Sequence, residues 1–302
     1  MTAPFPRRLA SVLLLAAALP GAAAAQAPAP FDSTRAYTHV REQVALGPRP
    51  AGSPANAKLR EYVIKHLADA GYKTVEQSFE ASTPVGRVTM TNLIATLPGE
   101  RPERILLTSH FDTKPVNEFR FVGANDGGSS TGALLELARV LKARPKPRFT
   151  IEFVFFDGEE AYGEWRDPNH TYGSRHYVTT ARAAGTLGSI RAMILLDMIG
   201  DRSLNLRRDT NSTTWLTDII WATARRLGHA AHFLDEPFPV EDDHMHFVKA
   251  GVPSVDLIDL DYADWHTAGD TLDKVSARSL QIVGDVVLAA LPDIEARLLK
   301  SK

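Results

Sequence analysis

The chain has 302 residues, 23% of them charged, and a formal net charge of −2 at pH 7. A nearly neutral chain without a long basic run is not expected to bind nucleic acid, and the absence of cysteine excludes disulfides and thiolate chemistry. The length suits one large α/β domain that can bury a substantial core.

The N-terminus has the pattern of an export signal. Arg7-Arg8 precedes an apolar run from Leu9 to Ala18, and small residues follow at 23–25. An apolar run of roughly ten residues is too short to cross a bilayer comfortably. We therefore expect a cleaved signal peptide over residues 1–25, a disordered leader over 26–30, and a catalytic domain over 31–302. The alternative is an uncleaved membrane anchor. The expected location is the periplasm or the extracellular medium, with no stable membrane insertion after cleavage.

Helical and strand patterns alternate along the rest of the chain. The first helix is predicted from Asp32 to Ala45, and the second begins at Ser53-Pro54 and ends at Gly71. Strands are expected over 73–79, 88–97 and 105–109, with a turn at 98–102. A glycine-rich loop at 123–130 then leads into a helix over about 130–142, which is followed by a strand over 148–157.

The second half continues the alternation. A surface loop over 161–173 precedes a helix that begins at Ser174, and further elements are predicted over 191–197 (strand), 214–227 (helix) and 252–258 (strand). Ser276 caps a closing helix whose core-facing residues are Leu280, Val283, Val287 and Leu291. This order predicts an α/β fold, a single domain with a central, mostly parallel mixed β-sheet flanked by helices.

Acidic residues and histidines stand just past the carboxyl ends of five apolar strand patterns. They are His110 with Asp112, Asp126, Glu159-Glu160, Asp197 and His266. Ligands of open α/β sheets bind outside the carboxyl ends of the strands, so segments distant in sequence should converge there. Because histidine nitrogen and carboxylate oxygen are ordinary zinc ligands, the pattern predicts a zinc site.

Glu159-Glu160 is the most informative pair, because adjacent carboxylates at a strand end point to different sides. A catalytic zinc needs about three protein ligands and an open position. The ligands that we assign are Asp126, Glu160 and His266. Glu159 is then the general acid/base beside the open position. Two alternatives stay open: His110 and Asp197 could bind a second metal with Asp126 bridging, or Asp126 could cap the next helix.

These motifs, together with longer runs, resemble a known family. The superfamily motifs are Ser109-His110-Phe111-Asp112, Asn125-Asp126-Gly127-Gly128, Glu159-Glu160, Asp197 and His266. More specific runs are 155–161 with Trp165, 172–176, 195–200, 241–244 with 251–253, and 265–267. From about Phe31 to the C-terminus the chain resembles the zinc aminopeptidase superfamily and, within it, the glutaminyl-peptide cyclotransferases (glutaminyl cyclases).

The resemblance implies a zinc-aminopeptidase-like fold with one zinc per chain on the three ligands assigned above, and Glu159 as the proton shuttle. It also implies that Asp197 and Asp242 belong to a hydrogen-bonded acid network and that Trp165 and Trp265 line the substrate pocket. The implied reaction converts the N-terminal glutamine of peptides or proteins to pyroglutamate and releases ammonia, with zinc polarising the γ-amide.

Two positions depart from the animal cyclases. The loop 125–129 is closer to the peptidase pattern, and Asp256 stands where animal cyclases carry a histidine. The main alternative is a di-zinc aminopeptidase that hydrolyses N-terminal residues, with His110 and Asp197 at a second zinc, because every ligand of a di-metal site is present. A catalytically inactive binding domain is disfavoured because no ligand has been lost. The expected partners are peptides or proteins with an N-terminal glutamine, the expected state is a monomer, and His244 and His246 receive no role.

Overall fold

The computed structural model describes residues 1–3 and 30–300. Except for residues 1–3 and Pro30, the predicted signal peptide and leader lie outside the described residues, and the domain boundaries stay a prediction. Over the described part of the chain, no helix has the length and apolar character needed to span a bilayer.

The strands form one central sheet and one small one. In chain order the strands of the described residues are β1 (Thr74–Thr83), β2 (Gly86–Leu97), β3 (Arg101–His110), β4 (Phe149–Phe156), β5 (Ile190–Asp197), β6 (Leu206–Asp209), β7 (Phe233–Phe238) and β8 (Ser254–Ile258). The central sheet has the order β1-β2-β4-β3-β5-β8. Its last four strands are parallel, whereas β1 and β2 are antiparallel additions at one edge. The mostly parallel mixed sheet predicted from the sequence is confirmed.

Helices cover both faces of this sheet. They are α1 (Ser33–Leu46), α2 (Pro54–Asp69), α3 (Gly128–Lys142), α4 (Tyr172–Ala183), α5 (Thr214–Arg226), α6 (His244–Lys249) and α7 (Ala277–Lys300). The side chain of Asp32 accepts hydrogen bonds from the first turn of α1, and Ser53 does so for α2, which explains why these two helices begin where the sequence predicts.

Successive residues of the central strands face opposite layers, as the period of a strand requires. On β3, Leu107 packs in the larger core with Val283 of α7, whereas its neighbour Leu106 packs in a second core with Tyr177 of α4 and Phe247 of α6. Both layers bury continuous apolar runs, so the parallel strands present their ends, and not their faces, to a ligand.

The structure corrects several predicted elements. The sequence missed β6, β7 and α6, because four to six residues are too few to establish a period. β3 begins at Arg101, inside the predicted turn, through an irregularity in its register with β4. α3 and α4 each begin two residues earlier than predicted. Asp126 does not follow a strand of its own; it lies in the long loop between β3 and α3.

Candidate active site

The carboxyl end of β4 places Glu159 and Glu160 on different sides, as predicted from their adjacency. Gly158 turns the chain here with a φ of +73°, and a Cβ at this position would lie 2.3 Å from the sulfur of Met90. Asp112, two residues past β3, then orients both glutamates, because its carboxylate accepts the backbone N–H of Glu159 at 3.1 Å and of Glu160 at 3.3 Å.

Glu160 joins the other two predicted zinc ligands. His266 Nε2 lies 3.2 Å from Glu160 Oε2 and 3.3 Å from Asp126 Oδ2. Both carboxylate oxygens are buried, and neither has a hydrogen-bond partner among the described residues. Three lone-pair donors thus converge on one point without satisfying one another, which fits a bound metal ion. The alternative role for Asp126 is wrong, because the structure gives α3 no side-chain cap.

The charges of this group also fit a cation. Burial, together with the nearby charge of Asp126, raises the pKa of Glu160 to about 7. Burial alone would lower the pKa of His266, but its contacts with Asp126 and Glu160 raise it to about 9. The group therefore keeps protons at neutral pH when no cation is bound, and a metal ion would release them.

His110, Asp126 and Asp197 form a second donor group beside the first. His110 Nε2 lies 3.1 Å from Asp197 Oδ1 and 3.3 Å from Asp126 Oδ1, so Asp126 touches both groups. Burial opposes a charge on His110, yet Asp197 and Glu159 raise its pKa well above the usual range. The arrangement accommodates either an imidazolium between carboxylates or a second metal ion.

Glu159 stands outside the first donor group. Its Oε2 lies 3.8 Å from His110 Nδ1. Burial raises the pKa of Glu159 well above its ordinary value; the charge of His110 opposes this shift and that of Asp242 adds to it. A carboxyl that holds its proton toward neutral pH has the property required of a general acid/base.

The predicted acid network is only partly reproduced. Asp197 and Asp242 line the same cavity, and burial and the charge of Asp197 raise the pKa of Asp242 to about 6. The hydrogen bonds that the structure describes for the pair join other residues: Asp197 Oδ1 accepts from His110 Nε2, and Asp242 Oδ1 accepts from the backbone N–H of Asp243 at 2.5 Å.

His244 lies behind this network, in a position that its sequence context did not reveal. Its Nε2 is 3.0 Å from Asp209 Oδ2 and its Nδ1 is 3.6 Å from Asp256 Oδ2, and all three side chains are fully buried. Asp256, the position where animal cyclases carry a histidine, thus has an imidazole against it from α6.

A cavity of about 360 Å³ opens above the donor groups. Its floor contains Glu159 and Glu160, which follow β4, together with Asp126 and His266, and its apolar walls include the two predicted tryptophans. Trp165 is 38% exposed and stacks on His170 with ring centroids 4.1 Å apart, whereas Trp265 is 46% exposed and stacks on His266 at 4.4 Å. Neither belongs to the core, so both are free to contact a ligand.

Three further residues shape the site; the sequence motif includes Asp112 without giving it a role, and Asp270 and Arg49 were absent from the predicted set. Asp112 accepts hydrogen bonds from the backbone N–H groups of Glu159 and Glu160. Asp270 accepts hydrogen bonds from the backbone N–H groups of Asn125 and Asp126 at 2.8 and 3.1 Å. Arg49, fully buried, donates to the carbonyls of Phe111, Val122 and Gly123. Their sequence signals were weak: an arginine between two prolines, and aspartates whose partners are distant backbone groups.

Comparison with known proteins places these observations in a family. Residues 92–291 match peptidase family M28. The glutaminyl cyclase structure of an Acidobacteriales bacterium is 41% identical, with a TM-score of 0.87 and coverage of 92% of this chain and 100% of that chain. Glutaminyl-peptide cyclotransferase of Drosophila melanogaster is 29% identical over 77% of this chain and 73% of its own length. A structure titled a leucine aminopeptidase precursor, from Bacteroides thetaiotaomicron, is 27% identical with a TM-score of 0.80 and coverage of 87% of this chain and 98% of that chain.

Proposed function

Since this chain belongs to peptidase family M28 and to its glutaminyl cyclase branch, we propose that it is a glutaminyl-peptide cyclotransferase that converts N-terminal glutamine of peptides or proteins to pyroglutamate. The cavity carries the proposal. It places a metal-donor group and a separate buried carboxyl, Glu159, at the base of a pocket walled by Trp165 and Trp265. Such a pocket suits a short side chain with apolar methylenes and a polar end.

The proposed cofactor is one Zn²⁺ per chain, held by Asp126, Glu160 and His266. Two carboxylates and one imidazole leave an open coordination position, as catalytic zinc requires. When bound, zinc would act as a Lewis acid on the γ-carboxamide oxygen of the substrate.

Glu159 is the proposed proton carrier. In the reaction the α-nitrogen of glutamine bonds to its own γ-carbonyl carbon, and the bond from that carbon to the amide nitrogen breaks. Glu159 takes a proton from the attacking amine and gives it to the departing nitrogen, which leaves as ammonia. Burial raises the pKa of Glu159 well above its ordinary value, which supports this role because it strengthens the hold of the carboxyl on the transferred proton.

The remaining residues position the reactants. The indole rings of Trp165 and Trp265 bracket the methylenes of the glutamine side chain, which limits its conformations and favours ring closure. Besides burial, the negative charge of Asp242 helps to keep the proton affinity of Glu159 high, and the charge of Asp197 acts in the same way on Asp242. We assign the enzyme to the periplasm or the extracellular medium, on the signal-like pattern of residues 1–25.

The first experiment is mass spectrometry of two matched peptides, one beginning with Gln and one with Leu, after incubation with zinc-loaded protein. Loss of ammonia from the Gln peptide alone supports the proposal. Shortening of either peptide by one residue would instead establish an aminopeptidase.

Variants separate metal binding from proton transfer. Glu159→Gln should bind zinc normally but lose activity by about 10²- to 10⁴-fold, the usual contribution of a general acid/base. His266→Ala should lose zinc. Glu61→Gln, an exposed glutamate of α2, is the matched control. An active Glu159→Gln enzyme would refute the shuttle, and full zinc occupancy in His266→Ala would refute the ligand set.

A second candidate, a di-zinc aminopeptidase, is favoured by one observation: the donor group of His110, Asp126 and Asp197. In that enzyme Glu159 would activate water instead of the substrate amine. Two zinc ions per chain, bound with comparable affinity, together with hydrolysis of the Leu peptide, would replace the cyclase proposal.

A further inference from the structure

Backbone strain is concentrated around the cavity. Among the described residues, the non-glycine residues with positive φ are Met198 (43°), Thr171 (46°) and His266 (52°). Met198 and His266 line the cavity itself. Thr171 lies directly behind Glu159, because its backbone N–H donates to the carbonyl of Glu159 at 2.7 Å. A β-branched residue with positive φ is unfavourable, and the fold retains such strain mainly at functional sites.

The hydroxyl of Thr171 does not perform the usual task of a threonine before a helix. Thr171 precedes α4, but its side chain makes no capping hydrogen bond to that helix. Instead Oγ1 lies 3.1 Å from Nδ1 of His170 and 2.8 Å from Nε2 of His246. One hydroxyl thus joins two imidazoles from separate elements, a loop and α6.

This connection reaches the substrate pocket. The His170 ring is stacked under the indole of Trp165, with an interplanar angle of 16°. Beyond Thr171, His246 lies on α6, the short helix that begins with His244 directly after Asp242 and Asp243. The chain of contacts therefore runs from Trp165 through His170 and Thr171 to His246.

We infer that Thr171 is a positioning residue for the substrate pocket: its hydroxyl fixes His170, and thereby Trp165, against α6 at a set distance from Glu159. This inference rests on the proposed function, because it assumes that Trp165 contacts the glutamine side chain. Glycine would adopt the positive φ of Thr171 without strain, but glycine has no hydroxyl. The inferred role of the hydroxyl therefore explains why a threonine occupies this strained position.

The kinetic test compares three substitutions of Thr171 in the full-length, zinc-loaded enzyme. Thr171→Val keeps the shape but not the hydroxyl, and should raise KM for a Gln peptide about fivefold, the factor that corresponds to one neutral hydrogen bond, with kcat unchanged. Thr171→Ser should restore the wild-type KM. Thr171→Gly should raise KM in the same way while its melting temperature stays level or rises, because the strain is relieved. Thr179→Val on α4, whose exposed hydroxyl bonds within its own helix, is the matched control.

A double-mutant cycle tests whether the contacts act as one unit. If the relay is real, adding His246→Leu to Thr171→Val raises KM no further than either substitution alone. Additive effects on KM would overturn the inference, and so would an unchanged KM in both Thr171→Val and Thr171→Gly.

A spectroscopic readout keeps this test independent of activity. The chain has four tryptophans, so incorporation of 5-fluorotryptophan gives a simple ¹⁹F spectrum in which Trp165→Phe identifies the resonance of Trp165. That resonance should shift and sharpen in Thr171→Val but not in Thr171→Ser. An unshifted resonance overturns the relay even if the wild-type enzyme cyclises glutamine. If the wild-type enzyme does not, the proposed function fails whatever the spectrum shows.

Discussion

Replacement of Arg49 by methionine tests whether a buried cation holds the active-site loops together. Arg49 Nε lies 3.1 Å from the carbonyl oxygen of Phe111, Nη2 lies 2.8 Å from that of Gly123, and Nη1 bonds the carbonyl of Val122. These carbonyls belong to the two ends of the loop that carries Asp112 and leads to Asp126. Methionine keeps most of the length of the side chain but donates no hydrogen bond.

The expected loss follows from two opposing effects. Three buried carbonyls left without a donor cost about 2 kcal/mol each. Against this, burial lowers the pKa of Arg49 from 12.5 to about 10, despite the nearby charges of Asp270 and Asp126. That shift means that burying the charge costs about 3 kcal/mol, which methionine recovers. The net loss of unfolding free energy is therefore about 3 kcal/mol.

Urea unfolding at one fixed zinc concentration measures this loss. With a slope near 3 kcal/mol per molar urea, the midpoint should fall by about 1 M in Arg49→Met. Arg41→Met is the control, because Arg41 is exposed and pairs only with Glu42 in the described structure; its midpoint should not move measurably. Zinc affinity should fall in Arg49→Met only. An Arg49→Met midpoint equal to that of the control would refute the assigned role.

Three further predictions concern pH, charge pairing and the metal. Burial, reinforced by the charge of His66, lowers the pKa of His39 from 6.5 to about 3. Between these two pH values the unfolded chain binds more protons than the folded chain. The free energy of unfolding therefore falls as the pH falls through that window, by at most about 1.4 kcal/mol per pH unit. His39→Asn should flatten this slope in urea titrations at about pH 5 and about pH 7, and an unchanged slope would contradict the cause. His244→Asn should lower stability by about 3 kcal/mol, because it removes the imidazole beside the Asp256 carboxyl, whose oxygens have no hydrogen-bond partner among the described residues. Adding Asp256→Asn should restore part of the loss; a double variant less stable than His244→Asn would show that the pair is not coupled. Chelation should lower the melting temperature and abolish activity, and one equivalent of zinc should restore both; recovery only at two equivalents would favour the di-zinc enzyme.

The sequence predicted the layers of this fold because its long elements have clear periods. The buried runs of β3, β4 and β5 and the capped starts of α1 and α2 depend on local chemistry, which a sequence displays directly. β6, β7 and α6 are stabilised by contacts with distant residues. The Asp209 carboxylate, for example, bonds the backbone of Val240 thirty-one residues away, and no local pattern records such a partner.

The candidate site divides in the same way. Residues that would bind a ligand are polar groups at strand ends or in flanking loops, and the pattern around Glu159-Glu160 reveals them. Residues that orient them, such as Asp112 and Asp270, act on backbone N–H groups, which every residue has; the sequence therefore did not reveal Asp270, and it showed Asp112 only as part of a motif, without its partner. His170 belongs to none of the sequence motifs, and its stacking on Trp165 is visible only in the structure.

The balance of buried charge connects the metal to the proton carrier. The buried acids around the cavity are Asp112, Asp126, Glu159, Glu160, Asp197, Asp242, Asp243, Asp256 and Asp270, and they outnumber the buried basic groups beside them. Burial and an excess of this kind together raise carboxyl pKa values, as they do for Glu160 and Asp242, and the excess attracts cations. A metal ion held by Asp126, Glu160 and His266 would neutralise its ligands and release their protons. Glu159 lies one residue away but outside that group, so under the proposed function it alone of the two glutamates would keep an exchangeable proton beside the cavity. The adjacency of the pair would then allow one strand end to supply both functions.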